Sequence, residues 1–157
     1  MPTADRHLVR RADVADAAEI AQLLDDFNRE YDDPTPGPAA LSVRVRRLIE
    51  AGDTVILLAG DRPDGVAVLR FRLSIWNEGL ECYLAELYVR PERRGQGLGR
   101  ALMALALEEA RERGADTMDL GTSESDVVAR HLYESLGFTN RVGGGEGPVM
   151  YVYERTI

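Results

Sequence analysis

The chain has 157 residues, with 27 Asp and Glu against 19 Lys and Arg, for a formal net charge of -8. A hydrophobic content of 45% and a charged content of 29% suit one globular domain over residues 1–157. The acidic balance argues against nucleic acid or an anionic membrane as partner and is compatible with a cationic substrate. Cys82 is the only cysteine, so an intramolecular disulfide is ruled out. His7 and His131 share no ligand spacing, and no metal is expected. The longest apolar run, Ala101 to Leu107, is far short of a membrane span. Met1 to His7 lacks the apolar core of a secretory leader, so a cytoplasmic protein is the expectation.

Taken in order, Asp13 is a helix N-cap followed by apolar residues at Ala17, Ile20, Leu24, Phe27 and Tyr31. That periodicity predicts an amphipathic helix from Val14 to about Glu30. Asp32 to Pro38 holds three prolines and must be a loop; a second helix carries Leu41, Val45 and Leu48 and stops at Gly52. Thr54 to Ala59 reads as a buried strand. After the turn Gly60-Asp-Arg-Pro-Asp-Gly65, Leu69, Phe71, Leu73 and Ile75 alternate with polar residues, as in a strand with one wet face. The turn Trp76 to Gly79 leads into a third strand ending at Val89, and the three pair antiparallel in sequence order. A mostly apolar helix follows Gly97 and ends at Gly114. Thr117 to Gly121 is a short strand, Asp126 to Leu136 a helix capped by Gly137, and Val149 to Glu154 a last strand after a glycine-rich loop.

Val89 to Gly99 reads V-R-P-E-R-R-G-Q-G-L-G, between that third strand and the helix. A glycine-rich turn at a helix start collects unpaired N–H groups at the positive end of the helix dipole, which makes an anion site. Arg93, Arg94 and Arg100 add positive charge around it. Spacing rules out two phosphate motifs. A dinucleotide fingerprint starting at Gly95 or Gly97 would need glycine where Arg100 or Leu102 stands, and a Walker loop needs a Gly-Lys pair that is absent.

What remains, Arg94-x-x-Gly97-x-Gly99, resembles the acyl-CoA loop of the GNAT superfamily of N-acyltransferases. A second block, Asp126-Val-Val-Ala-Arg-His-Leu-Tyr-Glu-Ser-Leu-Gly-Phe138, resembles that family's other element, with Asp126 where the family usually has Asn. The resemblance covers Leu80 to Phe138. It implies an α/β fold, with a mixed, mostly antiparallel sheet of about seven strands flanked by about four helices. The element order would be β-α-α-β-β-β-α-β-α-β-β, with the sheet splayed at the acyl-CoA site. It implies acetyl transfer from acetyl-CoA to an amine in a ternary complex. The acceptor would be a small molecule or, alternatively, a peptide N-terminus or lysine. A non-catalytic acyl-CoA sensor is the reading from another class, and a homodimer is compatible with the family.

By the same resemblance, Leu87, Tyr88 and Val89 would line the pantetheine arm with their backbone, one N–H facing the thioester oxygen. Arg94, Gly95, Gln96, Gly97, Leu98, Gly99 and Arg100 would hold the pyrophosphate, and Asp126 stands where the family contacts the pantetheine region. Asp126 is also a good helix N-cap, a role in which Asp and Asn are nearly equivalent. Tyr133 occupies the general-acid position. Glu86 is the candidate base, and pleat alternation points it with Leu84 and Tyr88 unless a bulge intervenes. Relatives often carry a second acid just before it, but here that residue is Ala85. Asp25, Asp26, Glu30, Asp32 and Asp33 form an acidic cluster that would serve as an amine-attracting rim or simply as a solvated helix end.

Overall fold

A computed structural model describes residues 8–157; the N-terminal segment read for a leader, and His7, lie outside them. The chain divides into two compact units, one reaching to Asp119 and the other formed by Leu120–Ile157.

The first unit holds a sheet of five strands in the order β1 (Val9–Arg11), β2 (Thr54–Ala59), β3 (Gly65–Leu73), β4 (Leu80–Val89) and β5 (Ala115–Asp119). Its helices are α1 (Ala17–Glu30), α2 (Pro38–Ala51) and α3 (Leu98–Glu112). Neighbours from β1 to β4 are antiparallel: short turns join β2 to β3 and β3 to β4, and β1 reaches β2 through α1 and α2, whereas β5 returns through α3 and pairs with β4 in parallel. Asp13 does cap the first helical segment, but through a 3-10 turn, Val14–Asp16, that runs on into α1. Arg10 clamps Asp16 through two hydrogen bonds of 2.8 and 2.9 Å.

Helices lie on both faces of this sheet. Ile56, Leu58, Val66, Val68 and Tyr88 form one core with Ala17, Ile20 and Leu23 of α1 and Val45 of α2. On the other face, a Cβ placed on Gly65 would meet Leu102 of α3 at 3.1 Å, so the strand parity of Gly65, Ala67 and Leu69 faces α3. Double coverage buries β2 throughout and β3 from Gly65 to Leu69. The expected wet face of β3 is therefore confined to its far end, where Arg72 reaches Glu81 at 2.6 Å.

Two irregularities in β4 decide which face Glu86 occupies and which edge of the sheet stays open. Val68 pairs with Glu86 and Leu69 with Leu84, so Ala85 is an extra residue, a β-bulge. Glu86 consequently shares the α1/α2 face with Tyr88, while Leu84 lies on the α3 face. The simple alternation that grouped Glu86 with both residues is corrected by that one insertion. In addition, β5 accompanies β4 only over Leu80 to Tyr83. From Leu84 to Val89 no strand among the described residues covers that edge, which gives the sheet the expected splay.

The second unit contains α4 (Val127–Ser135). Asp126 accepts a hydrogen bond from the Ala129 N–H at 3.1 Å and is its N-cap. At the other end, Phe138 N–H reaches the Tyr133 carbonyl at 3.0 Å and Gly137 N–H the Glu134 carbonyl at 3.1 Å, a Schellman motif around Gly137 at φ 91°. The Tyr133 and Phe138 rings close it edge to face, with centroids 5.9 Å apart.

The sheet has five strands among the described residues rather than about seven, and the terminal β-β pair of the expected order is reduced to one bridge, Arg141 to Val149. Val142 N–H donates to Pro148 and Met150 N–H to Asn140, after which the ladder stops. Pro148 has no N–H to return a bond, and the glycines of the connecting loop contribute no side chains to pack. Val149 to Glu154 is thus not a strand in its own chain.

Candidate active site

The glycine loop follows directly from the open end of β4. Pro91–Arg93 makes a 3-10 turn, Gly95 and Gly97 take φ values of 74° and 85°, and Gly97 starts α3 with no side-chain cap. Only glycine adopts these left-handed angles cheaply. The N–H groups of Gly95 to Gly99 donate to no carbonyl or side chain among the described residues. They belong to an exposed loop at the positive end of a 15-residue helix, with Leu98 anchoring it from below. Free donors, dipole and absent Cβ atoms fit a diphosphate. The uncovered edge of Leu84 to Val89 offers backbone groups to an extended chain, so the two features together fit coenzyme A.

The arginines behave differently from the sequence reading. Arg94, expected on a phosphate, is engaged by protein groups, although its side chain stays exposed. Its Nε donates to the Val89 carbonyl at 2.9 Å, its guanidinium meets Glu30 at 2.8 Å, and it lies over the Tyr88 ring at 5.6 Å from the centroid. Arg93 is also committed, pairing with Asp64 at 2.8 Å and donating to Gln96 Oε1 at 3.1 Å. Arg100 stands exposed on the first turn of α3.

Glu86 is half-buried, with no hydrogen bond or ion pair among the described residues. Burial pushes its carboxyl above the ordinary carboxylate value, and no cation offsets the effect. Two residues on, Tyr88 is buried and donates its hydroxyl to Glu30 at 3.0 Å; burial, then that carboxylate, push the phenol up to about 12. In the second unit, Tyr133 is 9% exposed, and burial, followed by the charge of Asp126, pushes it to about 12 as well.

The acidic cluster is mostly spoken for. Asp25 is buried and fixes the α1–α2 loop through Arg29 and Thr35, each at 2.7 Å; those bonds hold its carboxyl below the usual range. Asp26 pairs with Arg90 at 2.5 Å, and Glu30 with Arg94 and Tyr88. Only Asp32 and Asp33 stand exposed in the loop itself, so a rim of five negative charges does not form. Sequence reasoning missed Glu30 as the ligand of Arg94 and Tyr88, and Asp64 altogether. Asp64 lies in a Gly/Pro/Asp turn, where an acid normally faces water, and no local signal marks it as buried.

A polar hollow of about 310 Å³, lined by Glu19, Gln22, Arg62, Asp64 and Arg90 among others, opens beside this turn and does not include Glu86. No group of three or more His, Cys, Asp or Glu among the described residues could hold a metal, and no described helix is long and apolar enough to cross a membrane.

Comparison with known proteins gives this geometry its class. The profile of the Acetyltransferase (GNAT) family matches residues 18–138. A mycothiol acetyltransferase of Thermobispora bispora is 48% identical over 65 residues, 40% of this chain and 22% of that protein. The thialysine N-epsilon-acetyltransferase of Bos taurus is 29% identical over 143 residues, covering 83% of this chain and 82% of that one. The crystal structure of a protein from Arthrobacter sp. FB24 classed among the acetyltransferases superimposes with a TM-score of 0.88 at 43% identity, covering 99% of both chains. Fold and loop are those of an enzyme that transfers acetyl groups. The chain belongs to the GNAT family of acetyltransferases, which use acetyl-CoA as co-substrate.

Proposed function

We propose that residues 1–157 form one N-acetyltransferase domain that moves an acetyl group from acetyl-CoA to the primary amine of a small molecule, by direct attack in a ternary complex. The observation that carries this reading is Glu86. An unpaired, desolvated carboxylate sits on the open stretch of β4, five residues before the turn into the glycine loop. A carboxyl lifted above its ordinary range is a better proton acceptor near neutral pH than an exposed one.

Acetyl-CoA supplies an activated thioester. The N–H groups of Gly95 to Gly99 hold its diphosphate, and the backbone of Leu87 to Val89 holds the pantetheine arm. One of those N–H groups stabilises negative charge on the thioester oxygen. Glu86 takes a proton from the acceptor's ammonium, directly or through water, and the neutral amine so formed attacks the thioester carbon. Tyr133 is protonated at neutral pH, as an ordinary phenol is and the more so with burial pushing it up to about 12, and returns a proton to the departing thiolate. One relative is named for the N-epsilon amine of thialysine, which favours a small amine as acceptor here.

Transfer from labelled acetyl-CoA to a panel of polyamines, amino sugars, amino acids and peptides tests the proposal. Transfer confined to a small-amine class, and lost in Glu86→Gln, is the expected result. Transfer only to peptides would replace the acceptor. Binding of acetyl-CoA with no transfer to any acceptor would favour a sensor.

A further inference from the structure

Asp64 is the least expected charge in the first unit. Its side chain is 1% exposed, one oxygen has no hydrogen-bond partner, and the other is the acceptor for Arg93 at 2.8 Å. A buried carboxylate is costly unless well paired, so a turn that needed only a cap would be served by Asn or Ser. The surroundings are built for this side chain. A Cβ on Gly60 would lie 2.4 Å from Asp64 Oδ2, and Gly60 itself adopts φ 94°. The Asp64 N–H is fixed on the Ala59 carbonyl at 2.7 Å, and its own carbonyl receives the Arg90 N–H at 2.8 Å.

What this rigid turn holds is the glycine loop. Arg93 is the last residue of the turn before Arg94 and Gly95, and its guanidinium bridges Asp64 on one side and Gln96 Oε1 on the other at 3.1 Å. Gln96, between the two positive-φ glycines, completes the brace by donating to the Glu92 carbonyl at 3.4 Å. A loop whose glycines can adopt many conformations is thereby tied, through one guanidinium, to a carboxylate locked in the β2–β3 turn.

We propose that Asp64 is a positioning residue for acetyl-CoA binding: through Arg93 and Gln96 it presets the Gly95–Gly99 loop in the conformation that presents its N–H groups to the diphosphate. The inference rests on the acyl-CoA reading of that loop. Arg93 acts as a strut between protein groups, rather than as a phosphate ligand. Groups that bind ligands by oriented backbone donors work best when their supporting residues are themselves locked.

The test is calorimetric binding of acetyl-CoA to Asp64→Ala, Asp64→Asn, Arg93→Gln and the double variant Asp64→Ala/Arg93→Gln, with kcat and acceptor KM measured alongside. The expected dissociation constant rises roughly tenfold in Asp64→Ala and in Arg93→Gln. Asp64→Asn, which keeps the volume and one acceptor, falls between these and wild type. The double variant binds no more weakly than the weaker single, because both changes cut the same strut. kcat at saturating acetyl-CoA and the acceptor KM stay within about twofold, a split that general destabilisation would not produce. Unchanged affinity in folded Asp64→Asn and Arg93→Gln would overturn the inference while leaving the loop reading intact. Fully additive losses in the double variant would also overturn it. Failure of the wild-type protein to bind acetyl-CoA would overturn the loop reading and the inference together. If Asp64→Ala does not fold, the Asn and Arg93 variants decide alone.

Discussion

On the proposed mechanism, replacing Glu86 should act in opposite directions on stability and on activity. Its carboxyl is raised above its unfolded value by burial. An acid of that kind contributes stability while protonated, below the unfolded value, and loses the contribution as pH rises through the folded one. At neutral pH it is therefore a burden on the fold. Glu86→Gln should leave the melting temperature at pH 7 unchanged or higher while lowering kcat/KM by about 10²–10⁴-fold. The acid limb of the wild-type kcat/KM profile should lie above the ordinary carboxylate range and disappear in the variant. Tyr133→Phe makes a complementary case. Its hydroxyl has no hydrogen bond among the described residues, so kcat should fall by about 10²-fold with acetyl-CoA affinity intact. Tyr133 was legible as a candidate because its block has fixed spacing, and Glu86 because it is an acid on the strand before the glycine loop, where relatives of the family often carry one. The orientation of Glu86 was not, since a bulge at Ala85 leaves no mark in a run of apolar strand residues.

At the scale of elements, a motif can owe its form to local folding as much as to chemistry. In Tyr133-Glu-Ser-Leu-Gly-Phe138 the glycine supplies the left-handed C-cap and the two aromatic rings close it, so the block would be recognisable even without a ligand. Asp126 stands on the same footing at the other end. Asp126→Asn should keep both the melting temperature and acetyl-CoA affinity, whereas Asp126→Ala should cost about 1 kcal/mol in denaturant unfolding. A clear loss of affinity in the Asn variant would mean that the carboxylate does more than cap. The arginines of the glycine loop teach the reverse lesson. Their charge was visible in the sequence, but their partners, Asp64 and Glu30, lie 29 and 64 residues away, a separation that periodicity does not register.

For the whole molecule, hydrogen bonding is unevenly distributed. In the first unit β2, β3 and β4 are paired along their lengths and covered on both faces over much of them, whereas Tyr151 to Ile157 make no backbone hydrogen bond among the described residues and are exposed. Native-state hydrogen exchange should find the β2–β4 amides protected up to global unfolding and those of residues 151–157 exchanging near the free-peptide rate. Strong protection of the C-terminal amides would show that they are paired in a ladder and would overturn this reading. The sequence suggested a strand there because Val149 to Tyr153 is an unbroken run of apolar and aromatic residues. Such a composition suits a strand, but a strand also needs a neighbour, and no neighbour is written into the segment itself.

The extra residue at Ala85 has one more consequence, for how this strand tolerates change. It divides β4 into two phases. Cys82 and Leu84 answer to the packing of α3, and after the slip Glu86 and Tyr88 answer to the side of α1 and α2. Variation in the second phase can retune what meets Glu86 without disturbing the layer that holds the glycine-loop helix. Deleting the single residue Ala85 would remove the bulge yet leave Leu84 opposite Leu69 and Glu86 opposite Val68, so each phase would keep its face, whereas deleting Leu87 would pair Tyr88 with Ala67 and turn it towards α3. In a deep mutational library, loss of Ala85 should therefore be far better tolerated than loss of a paired residue such as Leu87.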